Sequence, residues 1–305
     1  MASTLRDLPR GPVAHRVLTG WGRTPPSAAD VVVPATAAEL ASALADPPAR
    51  GVVARGLGRS YGDAAQNAGG RVVDTTGVAG TAGLEIDAAT ATVTAAAGMS
   101  LDALLRILVP RGLFVPVTPG TRQVTVGGAI AADIHGKNHH RAGTWCAAVR
   151  RFSLLVPSGE VLEVTPEGDP DLFWATAGGM GLTGVILDAT FTCPRIETSR
   201  LVVDTVRAPD LDAVCAAMAD EDHLYDYSVA WIDLMATGAS TGRSVLTRGH
   251  FATVDALDGR AGRDPLAYDP QVRIGAPPWV PPGLLNPLSV RAFNEVWFRK
   301  APQRR

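Results

Sequence analysis

The run from Pro119 to His140, PGTRQVTVGGAIAADIHGKNHH, constrains this chain more than any other stretch. Gly120, Gly127, Gly128 and Gly136 are interleaved with or followed by Asp133, His135, Lys137, Asn138, His139 and His140. An ordinary core strand or helix has no need of that composition. Glycine lets a backbone approach a ligand closely and reach positive φ. A dense polar cluster directly after it points to a site. The plain alternative is a glycine turn leading into a solvated loop, because Gly and Asn are also common turn residues.

Two further glycine segments adjoin apolar runs. Ala54 to Gln66 (ARGLGRSYGDAAQ) follows a short apolar stretch. Successive amides in a tight loop form a nest for anionic oxygens, and Ser60 adds a hydroxyl. The spacing is not that of a G-x-G-x-x-G turn opening a helix, and no G-K-[ST] follows as in a Walker loop. By composition alone, a plain glycine turn is an equal reading. Asp63 is expected to order this loop as an Asx turn. The third segment, Gly178-Gly179-Met180-Gly181-Leu182-Thr183-Gly184, leads into Val185 and Ile186. Three such loops can converge on one extended ligand, for which a molecule with a central pyrophosphate is the natural candidate.

The chain has 305 residues, which suggests about two domains. Hydrophobic residues make up 46% and charged residues 19%, the balance of a folded protein. The net charge of -2 gives no electrostatic case for nucleic acid. Cys146, Cys193 and Cys215 are too far apart for a CxxC metal pair or a disulfide framework, and are expected to be small buried hydrophobes. His139 and His140 lack a partner at metal-ligand spacing, so no metal is expected. The start, MASTLRDLPRGPVAHR, shows no apolar signal-peptide core, and no stretch approaches the roughly 18 apolar residues of a spanning helix. The expected location is the cytoplasm or the membrane periphery rather than the periplasm.

Patterning predicts an apolar run at Val31–Val33, then a T-x-x-E capping box at Thr36 and Glu39 opening a helix through Leu44. Strands are expected at Gly51–Arg55, Arg71–Asp74, Leu84–Ala88, Ala91–Ala97, Phe114–Val117 and Leu182–Cys193, and Ser100 should cap a helix through Leu108. Phe152–Val156 and Val161–Val164 flank Pro157-Ser158-Gly159 as a hairpin. Pro170–Ala177 suits a short helix. Beyond Pro194 the order is strand Leu201–Val206, helix Leu211–Met218 and strands Tyr225–Ile232 and Ser244–Phe251, about half of an α+β sandwich. Ala276–Leu288, rich in proline, is expected to hold no regular structure. No closing element is expected for the second sheet.

RGLGRSYGD (Arg55–Asp63), the Pro119–His140 run and LFWATAGGMGLTGVI (Leu172–Ile186) together resemble the FAD-linked oxidases of the vanillyl-alcohol-oxidase type. TGWGRT (Thr19–Thr24) and SVAWID (Ser228–Asp233) also fit, and the resemblance spans roughly Leu18 to Lys300. It implies an α+β fold. A two-subdomain PCMH-type FAD-binding domain would occupy residues 1–195. An incomplete α+β substrate domain would occupy 196–305, with a Pro-rich loop at 276–288. Within the family the match points to the branch that oxidises the C2 hydroxyl of a decaprenylphosphoryl ribose, the first half of an epimerisation that supplies arabinan synthesis. A non-catalytic FAD-binding fragment, or another carbohydrate or aldonolactone oxidase of the same fold, is the alternative.

The resemblance also implies roles. Ala54, Arg55, Gly56, Leu57, Gly58, Arg59, Ser60, Tyr61, Gly62, Asp63 and Ala64 would hold the FAD pyrophosphate. Gly120, Thr125, Val126, Gly127 and Gly128 would line the dinucleotide. Ala132, Asp133, Ile134 and His135 would run beside the isoalloxazine, and Ile186 would meet the adenosine end. Tyr61, His135, Gly136, Lys137 and Trp231 would face substrate, with His135 and Lys137 the catalytic candidates. Many relatives attach the flavin through a His at the position of Arg59; arginine cannot form that bond, so non-covalent FAD is expected. Family members run on for about half as much chain again, and a main catalytic lysine is expected there. A polyprenylphosphoryl-ribose substrate, an NAD-dependent keto-reductase partner and peripheral membrane contact follow from the same resemblance. An apolar lid of Trp279, Val280, Leu284, Leu285 and Leu288 would make that contact, with a disordered connection as the equal alternative.

Overall fold

A computed structural model describes residues 13–23, 25–78, 83–270, 281 and 283–303; Trp279 and Val280 of the expected lid lie outside these. The elements in chain order are β1 (Val13–Leu18), β2 (Ser27–Val32), α1 (Ala37–Ala45), β3 (Val52–Arg55), β4 (Arg71–Asp74), β5 (Leu84–Asp87), β6 (Thr92–Ala96) and α2 (Leu101–Leu108). There follow α3 (Val126–Ala131), α4 (His139–Ala142), β7 (Val149–Leu155), β8 (Val161–Val164), α5 (Pro170–Thr176) and β9 (Val185–Thr192). The last are β10 (Leu201–Ala208), α6 (Leu211–Glu221), β11 (Tyr227–Ile232), β12 (Ser244–Phe251), α7 (Gly259–Arg263) and α8 (Pro287–Lys300). The architecture is α+β, and the chain divides into two compact units. The first holds the described residues up to Leu108, Leu113–Gly136 and Gly143–Arg195. The second holds Val109–Gly112, Lys137–Ala142 and the described residues from Ile196.

The first unit contains two sheets. One has the order β1-β2-β4-β3, with β4 parallel to both β2 and β3; the other is antiparallel, β5-β6-β9-β7-β8. Adjacent side chains on a strand point to opposite faces. Val32 and Val73 therefore pack with Leu40 of α1 and with Leu155, Val185 and Leu187 of the second sheet, while Val31 and Val72 join Ala29 in a separate cluster. The first cluster spans both sheets and fixes β3, and the glycine loop that leaves it, against β9. Trp145 lies 5.4 Å from Phe191, and Phe152 stacks on Phe173 at 5.2 Å.

Local signals place several helix starts. Thr36 accepts from the Glu39 N–H at 3.1 Å, and Glu39 reaches back to the Ala35 N–H at 2.8 Å. Asp169 caps α5 through the Leu172 N–H at 3.1 Å, with Pro170 just inside. Asp169→Ala should cost about 1 kcal/mol in urea unfolding; an unchanged midpoint would refute that assignment.

Phe114–Val117 is not a strand: Pro116 lacks a donor, only Leu113 bridges Arg195, and Val115 and Val117 reach the core from an irregular path. Two short helices, α3 and α4, lie in the Pro119–His140 run, where the plain alternative was a glycine turn leading into a solvated loop. The Ala276–Leu288 stretch becomes helical at Pro287, because Asn286 and Ser289 form a reciprocal capping box and proline is favourable at the first helical position.

The second unit is built on an antiparallel sheet, β10-β12-β11. Val214 of α6 packs on Leu246 and Ala208. On the other face α8 closes the sheet, contrary to the expectation that nothing would. Phe298 receives the guanidinium groups of Arg243 at 4.8 Å and Arg207 at 5.5 Å. Arg243 pairs with Asp233 at 2.7 Å and Glu295 at 2.6 Å, and Asn294 donates to Asp233 at 2.6 Å. Lys137–Ala142 docks on the same unit. The Ser228 N–H donates to the Lys137 carbonyl at 2.7 Å, Arg141 donates to His223 O at 2.8 Å, and the His140 ring contacts Tyr225 O at 2.9 Å.

Cys146 and Cys193 are buried, whereas Cys215 is exposed because Val214, its neighbour on α6, takes the sheet-facing position. Burial pushes the Cys193 thiol up to about 12, and burial together with the Asp133 carboxylate raises Cys146 further. The thiolate is the reactive form, so only Cys215 should react with a disulfide reagent at pH 8 before denaturation. More than one fast-reacting thiol would refute this.

Candidate functional site

Strand β3 delivers the chain to the first glycine loop, and Arg55 folds back beneath it. Its guanidinium donates to Thr19 O at 2.8 Å and Ala65 O at 2.9 Å. Burial lowers its pKa, with Asp74 opposing. Gly58 sits at φ 62° directly over that guanidinium, where a Cβ would collide with it. On the outer side the Trp21 N–H donates to Ser60 O at 2.6 Å and the Gly22 N–H to Tyr61 O at 3.1 Å. Arg59 donates to Gln123 O at 3.1 Å, and its guanidinium lies 5.0 Å from the Trp21 ring centroid. The carbonyl of Asp63, not its carboxylate, closes the following turn by accepting from the Gln66 N–H at 2.8 Å.

The carbonyls of Ser60, Tyr61, Asp63 and Ala65 are thus engaged, but the loop's amides are not. From Gly56 to Ala65 no backbone N–H donates to an acceptor among the described residues. Gly56, Gly58, Arg59 and Ser60 are half-buried. A half-buried amide without a partner requires an acceptor from outside the protein, water or ligand. A consecutive series of them beside Arg59 is an anion-binding concavity.

The other two glycine segments spend several of their amides within the protein. Thr125 caps α3 by accepting from the Gly128 N–H at 3.1 Å; the Val126 and Gly127 N–H groups go to Met99 O at 2.9 Å and Ala97 O at 2.8 Å. At the far end, the Ile130 and Ala131 carbonyls receive the N–H groups of Gly178 at 3.0 Å and Met180 at 2.8 Å. The third glycine loop is therefore a C-terminal cap for α3 as well as a wall.

All three segments line two adjoining cavities in the first unit, of about 180 Å³ and 60 Å³. The larger is lined by Ala54, Gly56, Leu57, Gly58, Arg59, Ser60, Ala64, Thr125, Gly128, Ala132 and Ile134. Gly127 and Ile186 line the smaller. Arg55 braces the loop from behind, Val126 is in the core, and Tyr61, Gly62, Asp63, Gly120, Asp133 and His135 line neither cavity. Tyr61 is 79% exposed. Tyr61, His135 and Gly136 belong to the first unit, Lys137 and Trp231 to the second. Thr75, Ala97, Val124, Ala131 and Met180 also line the cavities. Met180 was visible within its glycine run; Thr75 and Ala97 sit at strand ends and carried no signal.

Residues 28–165 match the family model of an FAD binding domain. Residues 28–165 thus form an FAD-binding domain of this family. It is 44% identical over 295 residues to the decaprenylphosphoryl-beta-D-ribose oxidase of Mycolicibacterium smegmatis, covering 95% of this chain and 64% of that protein. It is 44% identical over 216 residues to an uncharacterized protein of the mprA 5' region of Streptomyces coelicolor, covering 68% of this chain and 58% of that one. Cytokinin dehydrogenase 7 of Oryza sativa is 31% identical over 181 residues, covering 57% and 34%. The chain spans less than two thirds of the length of the first two relatives. FAD is the cofactor of the domain, and the residues fit it: the Gly56–Ala65 amides, which have no acceptor among the described residues, are donors of the kind a pyrophosphate takes, and the loop lines a glycine-walled cavity.

Proposed function

We propose that this chain binds FAD non-covalently and belongs to an oxidase that converts the C2 hydroxyl of decaprenylphosphoryl-β-D-ribofuranose to the ketone. The observation that carries the cofactor half is the unpaired amide series Gly56–Ala65 on the cavity. The substrate half rests on the name of the relative matched along 95% of this chain. FAD, when bound, would supply the hydride acceptor. The chain's own residues bind and orient. The loop amides and Arg59 offset phosphate charge, and Gly56 and Gly128 open the backbone wall. The hydroxyl proton needs an acceptor within hydrogen-bond reach, and His135, exposed at the end of the wall, is the residue we assign first. Lys137, Tyr61, Gly136 and Trp231 are assigned to substrate.

Oxidation alone yields the keto sugar, so a keto-reductase that uses NADH completes the epimerisation. No described helix is long and apolar enough to cross a membrane. Contact with a lipid-linked substrate is assigned to the exposed Leu284, Leu285 and Leu288. A second reading is a fragment that binds FAD without turnover; the chain covers 64% of the relative's length.

The purified chain should carry a visible flavin spectrum. Acid precipitation should release all of it, since Arg59 offers no attachment. A prenylphosphoryl ribose should bleach it under anaerobic conditions. Flavin that stays with the precipitate would refute the non-covalent assignment. Flavin that binds but resists bleaching would leave the fragment reading standing, and a colourless protein that takes up no added FAD would overturn both.

A further inference from the structure

Asp133 lies between two residues that line the larger cavity, Ala132 and Ile134, yet does not line it itself. Its φ is 36°, in the left-handed region that few side chains adopt and that Asp, Asn and Gly tolerate best. Its carboxylate turns away from the cavity and accepts the Cys146 N–H at 2.9 Å. One residue earlier, the Trp145 N–H donates to Ile134 O at 2.9 Å. On the helix side the Asp133 N–H goes to Ile130 O at 2.9 Å and the Ile134 N–H to Ala129 O at 3.0 Å. Trp145 is fully buried and packs at 5.4 Å on Phe191 of β9. The turn that ends α3 is therefore tied on one side to its own helix and on the other to a segment anchored in the five-stranded sheet.

We infer that Asp133 is a positioning residue: its carboxylate, by holding the Cys146 amide, sets the Ala132–Ile134 wall of the cavity in the shape that receives the cofactor. This inference rests on the FAD reading above. It removes Asp133 from direct contact with the flavin. Two features of the side chain are needed at once. The acceptor oxygen makes the tie, and tolerance of positive φ lets the chain turn sharply enough for Ile134 to face the cavity. A further consequence is that the ring environment, and not merely the stability, depends on a residue that never touches the ring.

The test uses the whole chain with Asp133→Asn, Asp133→Gly and Asp133→Ala. Asn keeps both features and should match the wild type. Gly keeps the backbone and loses the acceptor; Ala loses both. Both should bind FAD roughly tenfold more weakly, the scale of one lost hydrogen bond to a charged group, and should shift the visible circular dichroism and midpoint potential of the flavin they do bind. Amide exchange at Cys146 and across Ala132–Ile134, measured without FAD, should accelerate in Gly and Ala and not in Asn. Wild-type affinity, spectrum and potential in Gly and Ala would overturn the inference, as would failure of Asn to restore them. Were the wild type to bind no FAD, the proposed function would fail by itself. The exchange data would then judge the tie: faster exchange across Ala132–Ile134 supports it and unchanged exchange refutes it.

Discussion

Gly56→Val should strip FAD from the chain while leaving it folded. A Cβ at residue 56 would fall well inside contact distance of the Thr125 hydroxyl and only 3.0 Å from its Cγ2. Thr125 cannot swing aside. It is buried, and its hydroxyl caps α3 through the Gly128 N–H at 3.1 Å. The loop must move instead, and it carries the amides that have no acceptor among the described residues. Overpacking of this kind costs about 1–3 kcal/mol. Charged to binding rather than folding, the upper end is about a 100-fold loss of affinity. Flavin-to-protein ratio after gel filtration and titration with added FAD read this directly. Wild-type flavin content in a protein with a wild-type melt would sink the assignment of this loop.

The second large effect is expected at Arg243. Asp233 is 2% exposed and is held by Arg243, by Asn294 and by the Met235 N–H at 2.9 Å. Burial alone would push its carboxyl up, but Arg243, the Met235 N–H and Asn294 together bring it below the ordinary carboxylate range. A depressed carboxylate stabilises the folded state fully above its unfolded pKa, near 4. That stabilisation is lost as pH falls through the folded value. Arg243→Ala leaves the charge buried without its cation, at a cost of about 3–5 kcal/mol at neutral pH. It also removes one of the two guanidinium groups that sit on Phe298. With the cation gone, the carboxyl rises from its depressed value, so the deficit should shrink as pH falls through the variant's higher value toward the wild type's lower one, over which Asp233 takes up a proton in the variant first. Urea unfolding at pH 7 and pH 3.5, with amide exchange on α8, measures both. A pH-independent difference would refute the ion pair as its cause.

Several elements could be read directly because their causes are local. Thr36 with Glu39, Asp169 with Pro170 and Ser100 before Leu101 are capping chemistry within one turn. The alternation in Thr92–Ala96 and the Pro157-Ser158-Gly159 turn are likewise short-range. Helix α3 was not legible. Gly127 and Gly128 weaken a helix on propensity, and what holds it is distant: Ala97 and Met99 at its start, Gly178 and Met180 at its end. The same holds for Phe114–Val117, where burial came without a ladder. In α8 a capping box overrode the prolines that precede it.

The cofactor site divides along the same line. The sequence by itself determined that two of the three glycine segments adjoin strands, that arginine stands at residue 59, and that the polar cluster follows Gly127 and Gly128 within a few residues. These are matters of order along the chain. Only the tertiary structure decided which glycine amides remain unpaired, because pairing depends on partners far away in sequence. It left those of Gly56–Ala65 without an acceptor among the described residues, spent those of Gly178 and Met180 on capping α3, and turned the Asp133 carboxylate from the cavity to the Cys146 amide. It also assigned Lys137–Ala142 to the second unit while Gly136 stayed in the first. A backbone hydrogen bond is satisfied by whatever the fold brings within about 3 Å, and no local pattern announces that.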